Sequence, residues 1–259
     1  MSQAALHIGT SGFSYQDWVG HFYPKGTKKT DFYTHYCSCF DALEVTYTYY
    51  RMPTRRTMSS LIDKSEGKVT FAVKLTGVFT HDRTGGASDA KEFGEAVEPM
   101  AERGVLGCLL AQFPYSFKPD RDGYEHIRKV AAWFKSFPLV VEVRNRRWIS
   151  QRFFEFLKEL GVGFCCVDEP NLPGLLPELK VVTSPVGYVR FHGRNKAKWW
   201  THDRPEERYD YLYASEELDA WVPGLNRMRE ASDQLFVFFN NHFEGKAVAN
   251  ALHMRELLG

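Results

Sequence analysis

Ionisable and amide side chains gather toward the carboxyl ends of a series of short apolar runs. Their types suit proton transfer and the holding of an anion. Ala42–Thr48 carries Glu44, Thr46 and Thr48 at alternate positions, Val69–Thr76 carries Lys74 and Thr76, and Gly107–Phe113 ends beside Gln112. Leu139–Arg144 offers Glu142 and Arg144, and Phe164–Asp168 ends on Asp168. Gly187–His192 offers Arg190 and His192, and Leu235–Asn241 ends on Asn240 and Asn241. Side chains two apart on a strand share a face, so the late polar residues of each run are expected to converge. Glu142, His192, Glu44 and Asp168 are the candidates for moving protons. Lys74, Arg144 and Arg190 are the candidates for an anion, since guanidinium forks match phosphate oxygens and a lysine adds a point charge. Gln112 and Asn241 would orient a ligand. His81 and His242, just beyond their runs, are weaker candidates.

The same six charges admit a structural reading. Glu44, Glu142 and Asp168 against Lys74, Arg144 and Arg190 would neutralise one another as a buried network. Three bases beside three acids leave little negative field for a pair of divalent cations, so no metal site is expected. One metal on Glu142, Asp168 and His192 is the chemical alternative. Aromatic residues crowd the segments after the runs: Tyr15, Trp18 and Tyr23, then Tyr47, Tyr49 and Tyr50, then Trp148, then Trp199, Trp200, Tyr209 and Tyr211. Most should pack, but Tyr15, Trp18 and Trp148 beside the basic residues would suit a ring-bearing anion or single-stranded bases.

Positioning these residues requires eight strands. The first run is Leu6–Ser11, which makes eight with those above, each followed by a polar turn and then a helical pattern. Phe32, Tyr36 and Phe40 recur at intervals of four, as do Phe93, Val97 and Met100 at four and three. Further stripes are Ile127, Val130, Ala131 and Phe134; Phe153, Phe156, Leu157 and Leu160; and Leu218, Trp221, Leu225 and Met228. Ala247–Leu258 closes the chain, and Gly161 reads as a helix C-cap. The fold class is α/β, a single (β/α)₈ TIM-type barrel of parallel strands spanning residues 1–259 as one domain. A doubly wound open sheet is the rival, weakened because no Gly-rich dinucleotide turn follows the first run. Ser14–Lys29, His81–Ser88, Pro170–Pro185 and Arg194–Arg208 read as loops over one face, the last long enough for a lid.

Composition agrees. The 259 residues are 44% hydrophobic and 25% charged, as in an ordinary globular protein. A net charge of +1 lacks the basic excess of a dedicated nucleic-acid binder. Five cysteines, two of them adjacent at Cys165 and Cys166, form no disulfide framework, and Cys37 and Cys39 have no second pair for zinc. Met1–Ala5 has no signal-peptide pattern and no apolar stretch reaches a membrane span, so a cytoplasmic protein is expected. Nothing in the sequence identifies a cofactor or an oligomeric state.

In order along the chain, these motifs resemble the YecE-type family, domain of unknown function 72. The likeness rests on Ile8-Gly9-Thr10-Ser11-Gly12 with Trp18, Gly20 and Phe22-Tyr23-Pro24, then Glu44-Val45 with Thr48, Tyr50 and Pro53. Phe71 with Lys74, His81, Gln112-Phe113-Pro114, and Glu142 with Arg144 and Trp148 continue it. Tyr188 with Arg190, His192 and Gly193, and Asn240-Asn241-His242 with Gly245, Ala247, Asn250 and Ala251, complete it. The resemblance implies a TIM-type barrel. It also implies a kinship suggested for family members with metal-dependent apurinic endonucleases, and hence nucleic-acid binding. The family usually carries Asn where this chain has Thr46.

Three functions follow as expectations. The first is an enzyme acting on a phosphorylated sugar, a nucleotide or another small anionic substrate. The second is an endonuclease-like or single-strand nucleic-acid-binding protein. The third is a non-catalytic ligand-binding protein.

Overall fold

Eight short parallel strands close on themselves in sequence order, each hydrogen-bonded to the next and the last to the first. They are β1 (Ala5–Ser11), β2 (Ala42–Val45), β3 (Thr70–Lys74), β4 (Leu106–Gln112), β5 (Leu139–Glu142), β6 (Gly163–Asp168), β7 (Val186–Phe191) and β8 (Gln234–Phe239). All eight predicted runs are strands, and the fold is the (β/α)₈ barrel. It is described from a computed structural model covering residues 4–259. Of Met1–Ala5, expected to carry no leader, the first three residues lie outside the described ones.

The helical layer is α1 (Phe32–Cys39), α2 (Arg55–Lys64), α3 (Gly77–Thr80), α4 (Ala87–Glu102), α5 (Arg121–Trp133), α6 (Gln151–Glu159), α7 (Ser215–Asp219), α8 (Val222–Glu230) and α9 (Lys246–Leu258). The predicted stripes fall on α1, α4, α5 and α6, with one exception. The stripe Leu218, Trp221, Leu225 and Met228, expected as one helix, is divided between α7, which holds Leu218, and α8, which holds Leu225 and Met228, with Trp221 at the break between them. Gly161, with φ of 67°, follows α6 as expected. Helix α2 has no expected counterpart in the sequence reading. It starts at Thr54, whose hydroxyl accepts from the Thr57 amide, and buries Met58, Leu61 and Ile62.

One unit departs from the repeat. Between β6 and β7 the described chain forms no helix, and Pro170, Pro173, Pro177 and Pro185 account for this by removing amide donors and blocking helical turns. No described helix is long and apolar enough to cross a membrane.

The amino-terminal end of the barrel is plugged by aromatic rings. His7 stacks on Phe236 at 4.6 Å, and Gly107 leaves the space the Phe236 ring occupies. A Cβ at residue 107 would lie 2.2 Å from Phe236 Cζ. Gly107→Ala is therefore expected to destabilise the fold by about 1–3 kcal/mol, through overpacking. Urea unfolding checks this, and an unchanged midpoint would show that the plug can move.

Candidate active site at the carboxyl ends of the strands

Arg190 on β7 stands at the centre of the barrel floor, 3% exposed. Its Nη1 donates to Glu142 Oε2 at 2.7 Å and its Nη2 to Glu44 Oε1 at 2.7 Å, with Ser11 Oγ at 3.4 Å. Tyr188, two residues earlier on the same face, donates its hydroxyl to the other Glu44 oxygen at 2.7 Å. Glu142 Oε1 meets Arg144 Nε at 2.5 Å and His192 Nε2 at 3.3 Å. Neither contact lies along a hydrogen-bond axis, so Arg144 attracts Glu142 by charge, and the His192 ring faces it, without a directed bond. Burial alone would raise the Glu142 carboxyl. Arg144, then Arg190 and His192, outweigh it and hold the group well below the usual carboxylate range.

His192 is neutral, because burial and then the Arg144 charge push it well below an ordinary imidazole. Its Nδ1 lies 3.0 Å from Asn240 Nδ2, and an amide nitrogen can only donate. The ring proton is therefore on Nε2, facing Glu142. This contact is a dipole against a carboxylate rather than an ion pair.

Above this floor opens a cavity of about 630 Å³, a size usual for small-ligand sites. Lys74, Gln112, Arg144, Glu169, Arg190 and Glu44 reach it from the strand ends, and Arg208 from the loop after β7. Lys74 donates from Nζ to Gln112 Oε1 at 2.7 Å, and Gln112 is held in that orientation by donating to Phe113 O at 2.8 Å. Burial first, then the charge of Arg190, lowers the Lys74 ammonium to about 7. Glu169 accepts from Arg144 Nη1 at 3.2 Å and from the Leu176 amide at 2.9 Å. Burial nonetheless raises it to about 7 against the opposing charge of Arg144. His81, also on the cavity wall, falls to about 4 through burial and then the nearby Lys74 charge.

The expected residues do not all meet here. Glu44, Lys74, Gln112, Arg144, Arg190 and Tyr15 line the cavity, with Glu142 and His192 in the network directly beneath. Asp168 does not. Both its oxygens accept from the helical layer and the loop after β7: Arg194, Tyr213 and Trp221. Glu169, the residue just after β6, faces the cavity instead, one residue out of the expected phase. Asn241 is likewise turned away, donating to Tyr211 O and Asn250 Oδ1, and Asn240 faces inward in its place. Trp18 lies behind Tyr15 with its Nε1 on His242 O, and Trp148 packs on Phe117 and Tyr124. Thr48 sits in a turn after β2 and donates to Lys74 O, because the strand ends at Val45. The single-metal set of Glu142, Asp168 and His192 is not assembled. Among the described residues no group of three or more His, Cys, Asp or Glu is arranged to hold a metal.

Relatives repeat this architecture. A DUF72 family protein from Thermotoga maritima has a crystal structure matching with a TM-score of 0.91 at 36% identity, covering 98% of this chain and 99% of that one. A DUF72 family protein from Enterococcus faecalis matches with a TM-score of 0.86 at 26% identity, covering 98% and 95%. UPF0759 protein YunF of Bacillus subtilis (strain 168) is 30% identical over 98% of this chain and 94% of its own length. The sequence profile of the family described as "Protein of unknown function DUF72" matches residues 7–259, and the chain belongs to that family.

Proposed function

We propose that the protein is an enzyme whose cavity binds a small anionic organic substrate, of the class of a phosphorylated sugar or nucleotide, and moves a proton on it. One observation carries this reading: Lys74 and Arg208 line the cavity without a carboxylate partner. Among the described residues neither has an Asp or Glu oxygen within 4.0 Å. Arg144 and Arg190 are by contrast committed to Glu142, Glu169 and Glu44. An incoming anion would meet two unneutralised cations from opposite walls, with the arginine network behind them. Glu169, titrating near neutrality, suits a proton carrier better than Glu142, which stays ionised, or His192, which stays neutral.

Thermal unfolding tests this with inorganic phosphate, sugar phosphates and nucleoside monophosphates. A ligand at a hundred times its Kd adds about 2.7 kcal/mol, or roughly 5–10 °C for a chain of this size. The Lys74→Met, Arg208→Ala double variant should lose that shift. If no anion in the panel shifts the wild type, or if the double variant responds equally, the reading is wrong.

A second reading has its own support. Four of the five exposed large apolar or aromatic side chains, Tyr47, Tyr50, Tyr115 and Trp200, edge this same cavity. Such a rim would stack the bases of a single strand. Fluorescence anisotropy with single-stranded and duplex oligonucleotides over a salt series separates the two ligand classes.

A further inference from the structure

Lys74 is the one lysine of the described chain that lies on a barrel strand. Three carboxylates belong to the same site, yet all are engaged elsewhere: Glu44 by Arg190 and Tyr188, Glu142 by Arg190 and Arg144, Glu169 by Arg144. Its only hydrogen bond goes to the uncharged oxygen of Gln112. A lysine serving the fold would be paired with one of those acids, since an unpaired buried ammonium is costly. Here the amine is instead held by a fixed amide, over the Tyr49 ring at 4.4 Å, and at the wall of a ligand-sized cavity.

We propose that Lys74 is a nucleophile that condenses with the carbonyl carbon of an aldehyde or ketone substrate to give a Schiff base. This deepens the reading of the cavity as an enzyme site for a small anion by adding a carbonyl to the substrate's chemistry. The Nζ lone pair forms the C–N bond while the C=O electron pair moves onto oxygen, which takes up a proton. Loss of that oxygen as water then forms C=N. From the ammonium the balance is one carbonyl in and one water out, with two Nζ protons leaving in the water and one staying on the iminium. Glu169, which also lines the cavity, is the group suited to supply and recover the shuttled proton. The iminium withdraws electrons from the adjacent carbon and so opens C–H or C–C cleavage there.

The charged environment favours the reactive form. Arg190 and Arg144 oppose the ammonium, Glu142 and Glu44 support it, and burial decides the balance, so that Lys74 titrates near 7. Surface lysines titrate near 10.4, so at pH 7.5 the free-amine fraction of Lys74 exceeds theirs by about 600-fold, which the weaker nucleophilicity of a less basic amine trims to about 10²-fold in rate.

The experiment is borohydride trapping with glycolaldehyde phosphate and with uncharged glycolaldehyde, followed by peptide mass mapping. The expected result is one reduced adduct on Lys74, about 10²-fold ahead of any other lysine at pH 7.5, and absent from Lys74→Met. A labelling rate in the wild type that rises through about pH 7 supports the proposal without any variant. Labelling spread over surface lysines, with Lys74 unmodified, overturns it. If that happens while phosphate still raises the unfolding temperature, the anion reading survives and the imine does not. If both aldehydes label Lys74 equally well, the imine survives and the anion reading does not.

Discussion

Replacing Arg190 by methionine is expected to lower the unfolding free energy by about 3–5 kcal/mol, because it strands buried carboxylates rather than removing a surface charge. The two acids lose unequal shares. Glu142 keeps Arg144 and the His192 N–H, whereas Glu44 keeps only the Tyr188 hydroxyl. Neutralising Glu44 in the same chain should therefore restore more than neutralising Glu142. Urea unfolding of Arg190→Met, Glu44→Gln, Glu142→Gln and the two doubles gives the coupling energies. Strict additivity in both cycles would mean that the three side chains do not act as a unit, whatever their distances.

The same network fixes how acid unfolds the protein. Glu142 has its folded pKa depressed below the ordinary 4.5, so the unfolded chain binds more protons as pH falls through that region. Its stabilising contribution is complete above the unfolded value and is lost as pH drops toward the folded one. Removing Arg190 weakens the depression, so the acid unfolding midpoint of Arg190→Met should move to higher pH. Circular dichroism from pH 6 to pH 2 measures this.

How much of this site could be read from sequence depended on whether a strand advertises its phase. In β7, Tyr188, Arg190 and His192 alternate with Val189 and Phe191, so the inward face is plain. In β6 the run Phe164-Cys165-Cys166-Val167 is apolar at every position, as a strand buried on both sides must be, and gives no phase. The polar end of the run points to Asp168 there, and Glu169 is the residue that reaches the cavity. The apolar run Leu235–Phe239 hides the phase of β8 in the same way, which exchanged Asn241 for Asn240. Knowing that Cys165 faces Glu142 would have settled β6, but that is a contact between strands and not a pattern within one. Arg208 escaped for another reason. It comes from the loop after β7, where no periodicity operates, and only the closed barrel shows that this loop bends over the cavity. The commitment of Arg144 and Arg190 to acids was foreseeable from the charge balance alone. That Lys74 is left over was not, because pairing depends on distances.

Asp168→Asn is expected to destabilise the fold as severely as the loss of Arg190, by about 3–5 kcal/mol, while leaving the reactivity of Lys74 intact. All the hydrogen bonds to this carboxylate are received ones. Oδ1 takes Arg194 Nε at 2.8 Å and the Tyr213 hydroxyl at 2.7 Å, and Oδ2 takes Arg194 Nη2 at 2.5 Å and Trp221 Nε1 at 2.8 Å. An asparagine in this place would turn a donor against donors on one side and leave Arg194 short of its counter-charge. Its reach is more than local, because Arg194 begins the loop that carries Trp199, Trp200 and Arg208 to the cavity. Loosening that root should weaken phosphate binding through Arg208 and expose residues 194–211 to proteolysis, with the amine chemistry at Lys74 unaffected. Urea unfolding, limited proteolysis and borohydride trapping on one preparation separate the possibilities. A variant as stable as wild type, yet unable to trap a carbonyl at Lys74, would return Asp168 to the reacting centre and remove it from the framework.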